Sequence, residues 1–345
     1  MNDGLMWALV KEKPEAGLWM KRVPIPEVGP TDVKIKIHKT AICGTDVHIF
    51  EGDEGAAATP VGTVLGHEFS GVIEQIGEDV AGFKVGDKVC VDPNKLCGDC
   101  YYCRNGIGHF CDNMIGIGTT VNGGFSEYCV VPVSQLYKVS DKTTFEEAAM
   151  AEPVACCMHG IDMCDISCGD TVMVIGGGMI GLIMLQLAKL KGAAKLIMVE
   201  PVEAKREHAK RLGADICIDP FNEDVKAVLK ANNIERVNTV IECVGNVKTM
   251  AQAISYAGKK STVMLFGLSK PDDTLEIKPF ELFKKEIVLK ASFINPYTQT
   301  RAIELIDSGK IDVSSMIYSI NSLDELPGIL ADSEKRRQGK FIIRP

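Results

Sequence analysis

A short apolar run that ends in three consecutive glycines constrains the fold of this 345-residue chain more than any other feature. Residues 171–175 lead into Gly176-Gly177-Gly178-Met179-Ile180-Gly181, and an apolar stretch suited to a helix follows through Lys191. This glycine spacing is informative only between a strand and a helix, which is its context here. Glycines let the backbone approach a pyrophosphate at a helix N-terminus, where N–H groups favour anions. The pattern therefore predicts a dinucleotide-binding strand–turn–helix.

The regular alternation around that turn predicts a Rossmann-type α/β unit. Predicted strands cover 196–199, 216–219, 239–244, 262–266 and 287–290, and predicted helices cover 205–212, 223–231 and 247–256. Such alternation is typical of a doubly wound parallel sheet, here of six strands. Glu200 follows the second strand, where a carboxylate accepts hydrogen bonds from the adenosine ribose and repels a 2′-phosphate. It favours NAD over NADP, although Lys205 and Arg206 nearby weaken that preference slightly.

Four cysteines form the sharpest local pattern, Cys97-x2-Cys100-x2-Cys103-x7-Cys111. Four thiolates so close in sequence can complete the tetrahedral shell of one Zn²⁺ and leave no open position, which describes a structural site. An iron–sulfur cluster is the competing interpretation, because the first three cysteines have the ferredoxin spacing. Against it, the fourth follows after seven residues and precedes Asp112 instead of proline. Free thiols, or His109 as a substitute ligand, are further alternatives.

A second group of metal-ligand residues surrounds Gly44 and Gly66, in Cys43-Gly44-Thr45-Asp46-Val47-His48 and Gly66-His67-Glu68. Cys43 and His67 are ligands that Zn²⁺ accepts, and either Glu68 or the later Glu152 could add an oxygen. Thr45 and His48 are expected to pass protons between substrate and solvent. Asp46 is expected to orient a ligand imidazole.

Glu152 has two interpretations that the sequence leaves open. It precedes Pro153, which is favourable at a first helical position, so the carboxylate could simply interact with a helix dipole. With the motif at Cys43 upstream, it could instead be a zinc ligand or a base. The whole group predicts a catalytic zinc with one position free for substrate.

Composition limits the partners and the location. The net charge is −8 and no block of Lys and Arg stands out, so nucleic acid and anionic membranes are not expected partners. Neither a signal peptide nor a membrane-spanning stretch is evident, and thirteen cysteines then favour metal sites or buried thiols over disulfides. A cytoplasmic protein is expected. From Leu5 to Phe145, short strands separated by Gly and Pro predict an all-β, barrel-like region.

Taken together, the motifs resemble the zinc-dependent medium-chain alcohol dehydrogenase family. The C-G-T-D-x-H motif, the G-H-E motif, the four cysteines, Glu152-Pro153 and the glycine-rich turn occur in the family's order, with most similarity to its sorbitol (polyol) and L-threonine dehydrogenase branch. The resemblance implies a GroES-like β-barrel catalytic domain, residues 1–152 and 291–345, split around a Rossmann NAD-binding domain, residues 153–290. It also implies a homo-oligomer, in this family a tetramer.

The resemblance also implies roles for individual residues. Two zinc ions per chain would be bound, one by Cys43 and His67 with Glu68 and Glu152 as direct or water-mediated ligands, and one by the four cysteines. The proton relay would run through Thr45 and His48, with Glu152 near it. Cofactor contacts would come from Gly176, Gly178, Ile180, Gly181, Glu200, Lys205, Phe266, Gly267, Leu268, Ser292 and Phe293.

The expected activity is hydride transfer between NAD and a secondary alcohol, foremost a polyol or sugar derivative oxidised to a ketose. Oxidation of an amino alcohol, as in L-threonine 3-dehydrogenases, is the first alternative. An iron–sulfur electron-transfer protein and a non-catalytic nucleotide sensor are alternatives from other classes. Ile294-Asn295-Pro296 occupies the region where sorbitol dehydrogenases carry an arginine for substrate hydroxyls, so the substrate cannot be copied from that branch.

Overall fold

A computed structural model describes residues 4–53 and 58–345 of the chain. Contacts within the chain divide it into two units, which are described separately below. Unit 1 combines Met1–Ala155 with Asn295–Pro345, and unit 2 is Cys156–Ile294.

Unit 1 consists mainly of strands, as expected for a sequence in which short apolar runs alternate with Gly and Pro. Its strands are β1 (Leu5–Lys11), β2 (Trp19–Pro24), β3 (Asp32–Ala41), β4 (Thr63–Val64), β5 (Glu68–Ile76), β6 (Lys88–Val91), β7 (Asn94–Lys95), β8 (Ile115–Gly116), β9 (Tyr128–Pro132), β10 (Leu136–Lys138), β17 (Ile317–Ser322) and β18 (Lys340–Arg344). Its helices are α1 (Gly44–Glu51), α2 (Tyr101–Arg104), α3 (Phe145–Ala149), α10 (Gln299–Asp307), α11 (Leu326–Ala331) and α12 (Ser333–Arg336). One further helix, α4 (Ala151–Asp162), begins in unit 1 and ends in unit 2.

The long strand β3 organises the main sheet of unit 1. Its alternating apolar residues Val33, Ile35 and Ile37 are buried in one core cluster. The sheet order is β10-β6-β5-β3-β18-β17, with β9 also paired to β3. Because β18 lies antiparallel beside β3, the C-terminal strand reaches the centre of the unit. β2, β1 and β4 form a smaller sheet, and β7 pairs with β8.

One local prediction in unit 1 was incomplete. The segment after Cys43 is a helix, α1, within a region predicted to contain only strands and turns. Asp46 explains that helix, since its carboxylate accepts a 2.8 Å hydrogen bond from the Cys43 N–H at the helix start.

Unit 2 is an α/β unit around a parallel sheet. Its strands are β11 (Thr171–Ile175), β12 (Lys195–Val199), β13 (Ile216–Ile218), β14 (Thr239–Glu242), β15 (Thr262–Leu265) and β16 (Val288–Ala291), and its helices are α5 (Met179–Leu190), α6 (Glu203–Leu212), α7 (Val225–Ala231), α8 (Val247–Tyr256) and α9 (Pro279–Lys285). The strand order is β13-β12-β11-β14-β15-β16, and each neighbouring pair is parallel. The predicted doubly wound sheet of six strands is confirmed.

The central strands of unit 2 are apolar on both faces, as covered parallel sheets require. Val172, Met173, Val174 and Ile175 in β11 are all buried. The strand predicted over 239–244 ends at Glu242, because the Glu242 carboxylate accepts hydrogen bonds from the next backbone N–H groups and turns the chain. Within residues 4–53 and 58–345, no helix combines the length and the apolar character needed to cross a membrane.

Candidate active site and metal centres

The four cysteines predicted as one site do come together in unit 1. Their Sγ atoms all lie within 4.8 Å of one another, and those of Cys97 and Cys103 are 3.9 Å apart. Two sulfurs bound to tetrahedral zinc at about 2.3 Å are about 3.8 Å apart, so the separation fits such an ion. Backbone N–H groups of Cys103 and Asp112 lower the pKa of Cys100 to about 6, which favours the thiolate. His109 lies outside the sulfur group and packs on Phe110, with ring centres 4.1 Å apart.

The second ligand group forms around the end of β3 and the start of β5. One ligand atom each from Cys43, His67 and Glu68 lies within 4.8 Å of the others. β3 ends at Ala41, which pairs with Glu68 in β5, so the sheet register brings Cys43 beside His67 and Glu68. Gly66, which precedes His67, has φ of 94°, and an added Cβ would lie 2.6 Å from the Phe125 ring. The turn that delivers His67 therefore requires glycine.

Asp46 lies beside the imidazole of His67. The buried carboxylate places Oδ1 3.4 Å from His67 Nδ1, a close contact that lacks hydrogen-bond geometry. Burial by itself lowers the pKa of His67, but the Asp46 carboxylate and the Cys43 sulfur outweigh burial and raise that pKa well above its ordinary value. The structure thus brings Asp46 next to His67, and its role in orienting a ligand imidazole stays a prediction.

Glu68 is paired with a lysine from the other end of the chain. Glu68 Oε2 accepts a hydrogen bond from Lys340 Nζ, and both side chains are buried. Ala41 in β3 pairs with Glu68 on one side and with Ile342 of β18 on the other, which brings Lys340 within reach. Burial lowers the pKa of Lys340, but Glu68 and Cys43 outweigh it and raise that pKa, so the amine stays charged. The other oxygen, Glu68 Oε1, has no hydrogen-bond partner among the described residues.

The donor set around Cys43 fits a zinc ion. A buried carboxylate oxygen without a partner is costly, and one oxygen of Glu68 lies within 4.8 Å of the Cys43 sulfur and a His67 nitrogen, so a cation bound here would satisfy the group. Glu152 is also buried but lies outside the group formed by Cys43, His67 and Glu68. It stands in the first turn of α4, which starts two residues earlier than the sequence predicts. The geometry thus brings Glu68, and not Glu152, against the sulfur and the imidazole.

Thr45 and His48 lie on α1, three residues apart and therefore on one face of the helix. Thr45 Oγ1 is 3.8 Å from Cys43 Sγ, at the ligand group. The His48 side chain is 36% exposed, and its Nδ1 lies 3.8 Å from Asp53 Oδ2. This helix face connects the buried ligand group with solvent.

In unit 2, the glycine-rich turn has the strand and helix that its interpretation requires. Gly176 has φ of 100°, and an added Cβ on Gly181 would lie 1.8 Å from the Gly176 carbonyl oxygen. Gly178 precedes α5, so the turn opens the helix N-terminus. Glu200 is buried directly after β12, where its two oxygens accept bonds from Gly177 N at 2.6 Å and Val202 N at 2.9 Å. The acid is thereby held against the turn.

The other predicted cofactor residues lie near the carboxyl ends of the same sheet. Phe266, Gly267 and Leu268 follow β15, and Ser292 and Phe293 follow β16. Ile180 is in the first turn of α5 and Lys205 in the first turn of α6. Ser292 Oγ is buried and has no hydrogen-bond partner among the described residues. Because ligands of open α/β sheets bind at the carboxyl edge, this placement suits a dinucleotide.

Three charged side chains near these sites were not identified from the sequence: Asp53, Lys340 and Glu242. Lys340 is 272 residues from Glu68, and no local pattern connects the two. Glu242 did carry a signal, since it ends an apolar strand as Glu200 follows one.

Known proteins resemble the chain over its whole length. Residues 29–141 match the family described as alcohol dehydrogenase GroES-like domain, and residues 179–308 match the family described as zinc-binding dehydrogenase. The chain is 34% identical to an L-threonine 3-dehydrogenase of Rhizobium etli and 38% identical to one of Rhizobium johnstonii. Each alignment spans 345 residues and covers 99% of both chains.

Among solved structures, one described as a zinc-binding dehydrogenase of Sinorhizobium meliloti 1021, bound to NADP, has a TM-score of 0.94 and 34% identity, covering 99% of each chain. An Escherichia coli CFT073 protein described as a short chain alcohol dehydrogenase, complexed with NADH, has a TM-score of 0.90 and 26% identity, covering 99% of this chain and 100% of its own. The chain belongs to the zinc-dependent medium-chain alcohol dehydrogenase family. It is an oxidoreductase of a class that carries zinc and uses a nicotinamide dinucleotide, which confirms the resemblance and the GroES-like and Rossmann folds predicted from the sequence.

Proposed function

We propose that this protein oxidises the hydroxyl-bearing carbon of an amino alcohol of the L-threonine type to a ketone. The observation that carries the proposal is the identity of 34% and 38%, over 99% of both chains, with proteins named L-threonine 3-dehydrogenase. These relatives favour an amino alcohol as the substrate over the polyol that the sequence analysis placed first. Membership of a zinc family likewise favours zinc over an iron–sulfur cluster at the four cysteines.

We propose that Cys43, His67 and Glu68 hold a catalytic zinc and that Cys97, Cys100, Cys103 and Cys111 hold a structural one. When bound, the catalytic ion supplies positive charge that makes an alcohol proton easier to remove. Asp46 fixes the His67 ring, and Lys340 offsets the charge of the Glu68 carboxylate. Glu152 is retained as a buried carboxylate near this group, as a water-mediated ligand or a base.

The proton released from the alcohol would leave along α1. Thr45 is two residues from Cys43, and its Oγ1 lies 3.8 Å from Cys43 Sγ. This hydroxyl would accept the proton first. His48 lies on the same helix face and reaches solvent, where its Nδ1 is 3.8 Å from Asp53 Oδ2, and an imidazole can both accept and release a proton. The chain therefore supplies both ends of a relay.

We propose that the cofactor is NAD, which supplies the hydride acceptor when bound. The buried Glu200 carboxylate would meet the adenosine ribose hydroxyls and repel a 2′-phosphate. The nearby cation Arg206 is already engaged, with Nη1 3.2 Å from Asp219 Oδ2 and 2.8 Å from the Glu200 carbonyl oxygen. The Sinorhizobium meliloti relative bound to NADP makes the comparison of the two cofactors a necessary test.

We further propose residues 1–152 with 291–345 as the catalytic domain and residues 153–290 as the cofactor domain. The catalytic domain contains the proposed zinc ligands with Thr45 and His48, and the cofactor domain contains the proposed cofactor contacts except Ser292 and Phe293, which follow β16. A homo-oligomer, a tetramer by family resemblance, and a cytoplasmic location complete the proposal.

The decisive experiment follows NADH formation with L-threonine, other amino alcohols, polyols and simple alcohols, using NAD and NADP in parallel. Turnover of L-threonine or a related amino alcohol with NAD supports the proposal. Preferential turnover of polyols would restore the polyol alternative, and a preference for NADP would overturn the role given to Glu200. Stepwise chelation with metal analysis should remove one zinc per chain together with activity, and a second only with unfolding.

A further inference from the structure

A buried carboxylate that the proposed chemistry does not use lies at the carboxyl edge of the sheet in unit 2. Glu242 is the last residue of β14, and its side chain is 0% exposed. Its Oε1 accepts hydrogen bonds from Val244 N at 2.8 Å, Gly245 N at 3.1 Å and Thr249 Oγ1 at 2.7 Å. Its Oε2 accepts a second contact from Gly245 N at 3.2 Å. One carboxylate therefore shapes the loop after β14 and ties it to the first turn of α8.

The same residue holds the loop after the next strand. The backbone oxygen of Glu242 accepts bonds from Phe266 N and Gly267 N, each at 2.9 Å. An added Cβ on Gly267 would lie 2.7 Å from Glu242 Oε2 and 2.1 Å from Gly245 N. Loops 243–246 and 266–268 are therefore in direct contact around Glu242.

The glycine-rich turn touches this pair of loops as well. An added Cβ on Gly176 would lie 2.8 Å from Val244 Cγ2, and one on Gly245 would lie 2.3 Å from the Leu268 carbonyl oxygen. A small displacement of loop 243–246 would thus move both the turn at Gly176 and the segment at Leu268. Three segments that edge the proposed cofactor site therefore meet around Glu242, and its carboxylate holds the loop at the middle of the three.

A buried carboxylate such as Glu242 contributes little to the stability of the fold, so a purely structural role does not explain it well. No cation lies within ion-pair distance of Glu242 among the described residues, so only N–H and O–H donors compensate its burial. Buried charge generally stabilises a fold less than well-packed apolar residues of similar volume. What the carboxylate provides is direction, because it accepts several donors at set angles and holds their backbone in one conformation.

The strand order indicates which half of the cofactor these loops meet. The order β13-β12-β11-β14-β15-β16 reverses at β11, where a dinucleotide crosses the sheet edge with one half on each side. Glu200, after β12, marks the adenosine side. Loops 243–246 and 266–268 follow β14 and β15, on the opposite side, where the nicotinamide half would lie.

We propose that Glu242 is a positioning residue that holds loops 243–246 and 266–268 in the conformation that binds the nicotinamide half of the dinucleotide. The inference rests on the cofactor class in the proposed function and is independent of which alcohol is the substrate. Loss of the carboxylate then weakens binding of the complete dinucleotide and spares binding of its adenosine half.

The experiment measures binding of NADH and of ADP by calorimetry to the full-length, zinc-loaded protein. Glu242→Leu should weaken NADH binding at least about tenfold, as expected when hydrogen bonds to a charged group are lost, and leave ADP binding within about twofold. Glu242→Gln should weaken NADH binding less than Glu242→Leu does, because its amide oxygen can accept the three donors to Oε1 while its amide nitrogen cannot accept from Gly245 N. Glu200→Gln is the matched control, and it should weaken both ligands.

Thr249→Val tests the same idea without disturbing the buried acid, in case Glu242→Leu does not fold. It removes one of the donors to Glu242 and should weaken NADH binding about threefold with ADP unchanged, the loss of one modest hydrogen bond. Equal weakening of NADH and ADP in the folded Glu242 and Thr249 variants, or no change in either, would overturn the positioning role. Failure of the wild-type protein to bind NADH or NADPH would instead overturn the cofactor assignment.

Discussion

The two cysteine-containing ligand groups of unit 1 differ in how the chain assembles them. The four cysteines at 97–111 come from one segment of fifteen residues and are mostly half-exposed. The group of Cys43, His67 and Glu68 lies deeper, and its buried lysine partner is 272 residues from Glu68. The first group has four sulfur donors, and the second has three donors of three kinds.

This difference separates stability from chemistry. Four thiolates complete a tetrahedral shell, so an ion there can only hold the segment together. Three mixed donors leave a position for substrate, but they require burial and therefore support from the rest of the fold. Changes in the first group should act on folding, and changes in the second on activity.

The largest expected effect comes from Cys43→Ala. Without the thiolate ligand, the zinc would no longer be held beside the alcohol. The negative charge that develops on the alcohol oxygen would lose several kcal/mol of stabilisation, and kcat should fall at least about a thousandfold. NADH binding and thermal stability should change little. The measurement is steady-state turnover beside NADH titration, with the exposed Cys168→Ala as control. Turnover equal to wild type would rule out the metal mechanism.

Lys340→Met tests whether tertiary pairing supports the deep group. In the zinc-free protein it would leave the buried Glu68 carboxylate without a counter-charge, which should lower the unfolding free energy by about 3–5 kcal/mol. The double variant Glu68→Gln with Lys340→Met should recover most of that loss, because no lone charge remains. Urea unfolding of all three proteins measures the coupling. If Lys340→Met unfolds at the wild-type midpoint, the buried pair has no role in stability.

Cys100→Ser tests the four-cysteine group. A hydroxyl is a poor zinc ligand, so unit 1 should lose on the order of 3 kcal/mol of stability and about 10 °C in Tm. Any protein that remains folded should keep most of its kcat. Thermal unfolding with metal analysis gives the first quantity, and activity below the transition gives the second. A variant with lower kcat and unchanged Tm would reverse the roles of the two groups.

The smallest expected effect concerns Asp92, a half-buried carboxylate near the four-cysteine segment in sequence. Unlike Glu68, it is held by amides, with hydrogen bonds from Asn94 N at 3.0 Å and Asn295 Nδ2 at 3.2 Å. Burial raises the pKa of Asp92 to about 6, and these hydrogen bonds offset only part of that rise. A pKa raised by folding stabilises the protein at acid pH, and this stability is lost as the pH rises through about 6.

Asp92→Asn should remove this pH dependence while keeping an oxygen for both donors. Relative to wild type, its stability should increase by about 2 kcal/mol between about pH 4 and pH 8. Urea unfolding at several pH values measures the difference. A constant difference across that range would show that Asp92 titrates as an ordinary surface carboxylate.

Much of the fold was predictable from the sequence because the information is local. The strand at 171–175, the glycines at 176–181 and the alternating elements after them specify a parallel sheet through short-range spacing alone. The α1 helix was missed since a stretch of eight residues has little periodicity, and its start depends on the Asp46 carboxylate. The sequence motifs placed polyols before amino alcohols as substrates. The order changes because identity over the whole chain with L-threonine 3-dehydrogenases favours the amino alcohol, and no motif does.

By itself, the sequence determined the dinucleotide turn and the four-cysteine group, because residues a few positions apart must lie near one another. It also named Cys43 and His67 as candidate ligands from their residue types and neighbours, but not their proximity. Only the tertiary structure decided that Glu68 and not Glu152 meets that sulfur and imidazole, that Lys340 balances the charge, and that Glu242 joins three segments of unit 2. These relations depend on the register of strands far apart in the chain, such as β18 beside β3 and β3 beside β5. Register is set by packing of the whole sheet, and no local spacing encodes it.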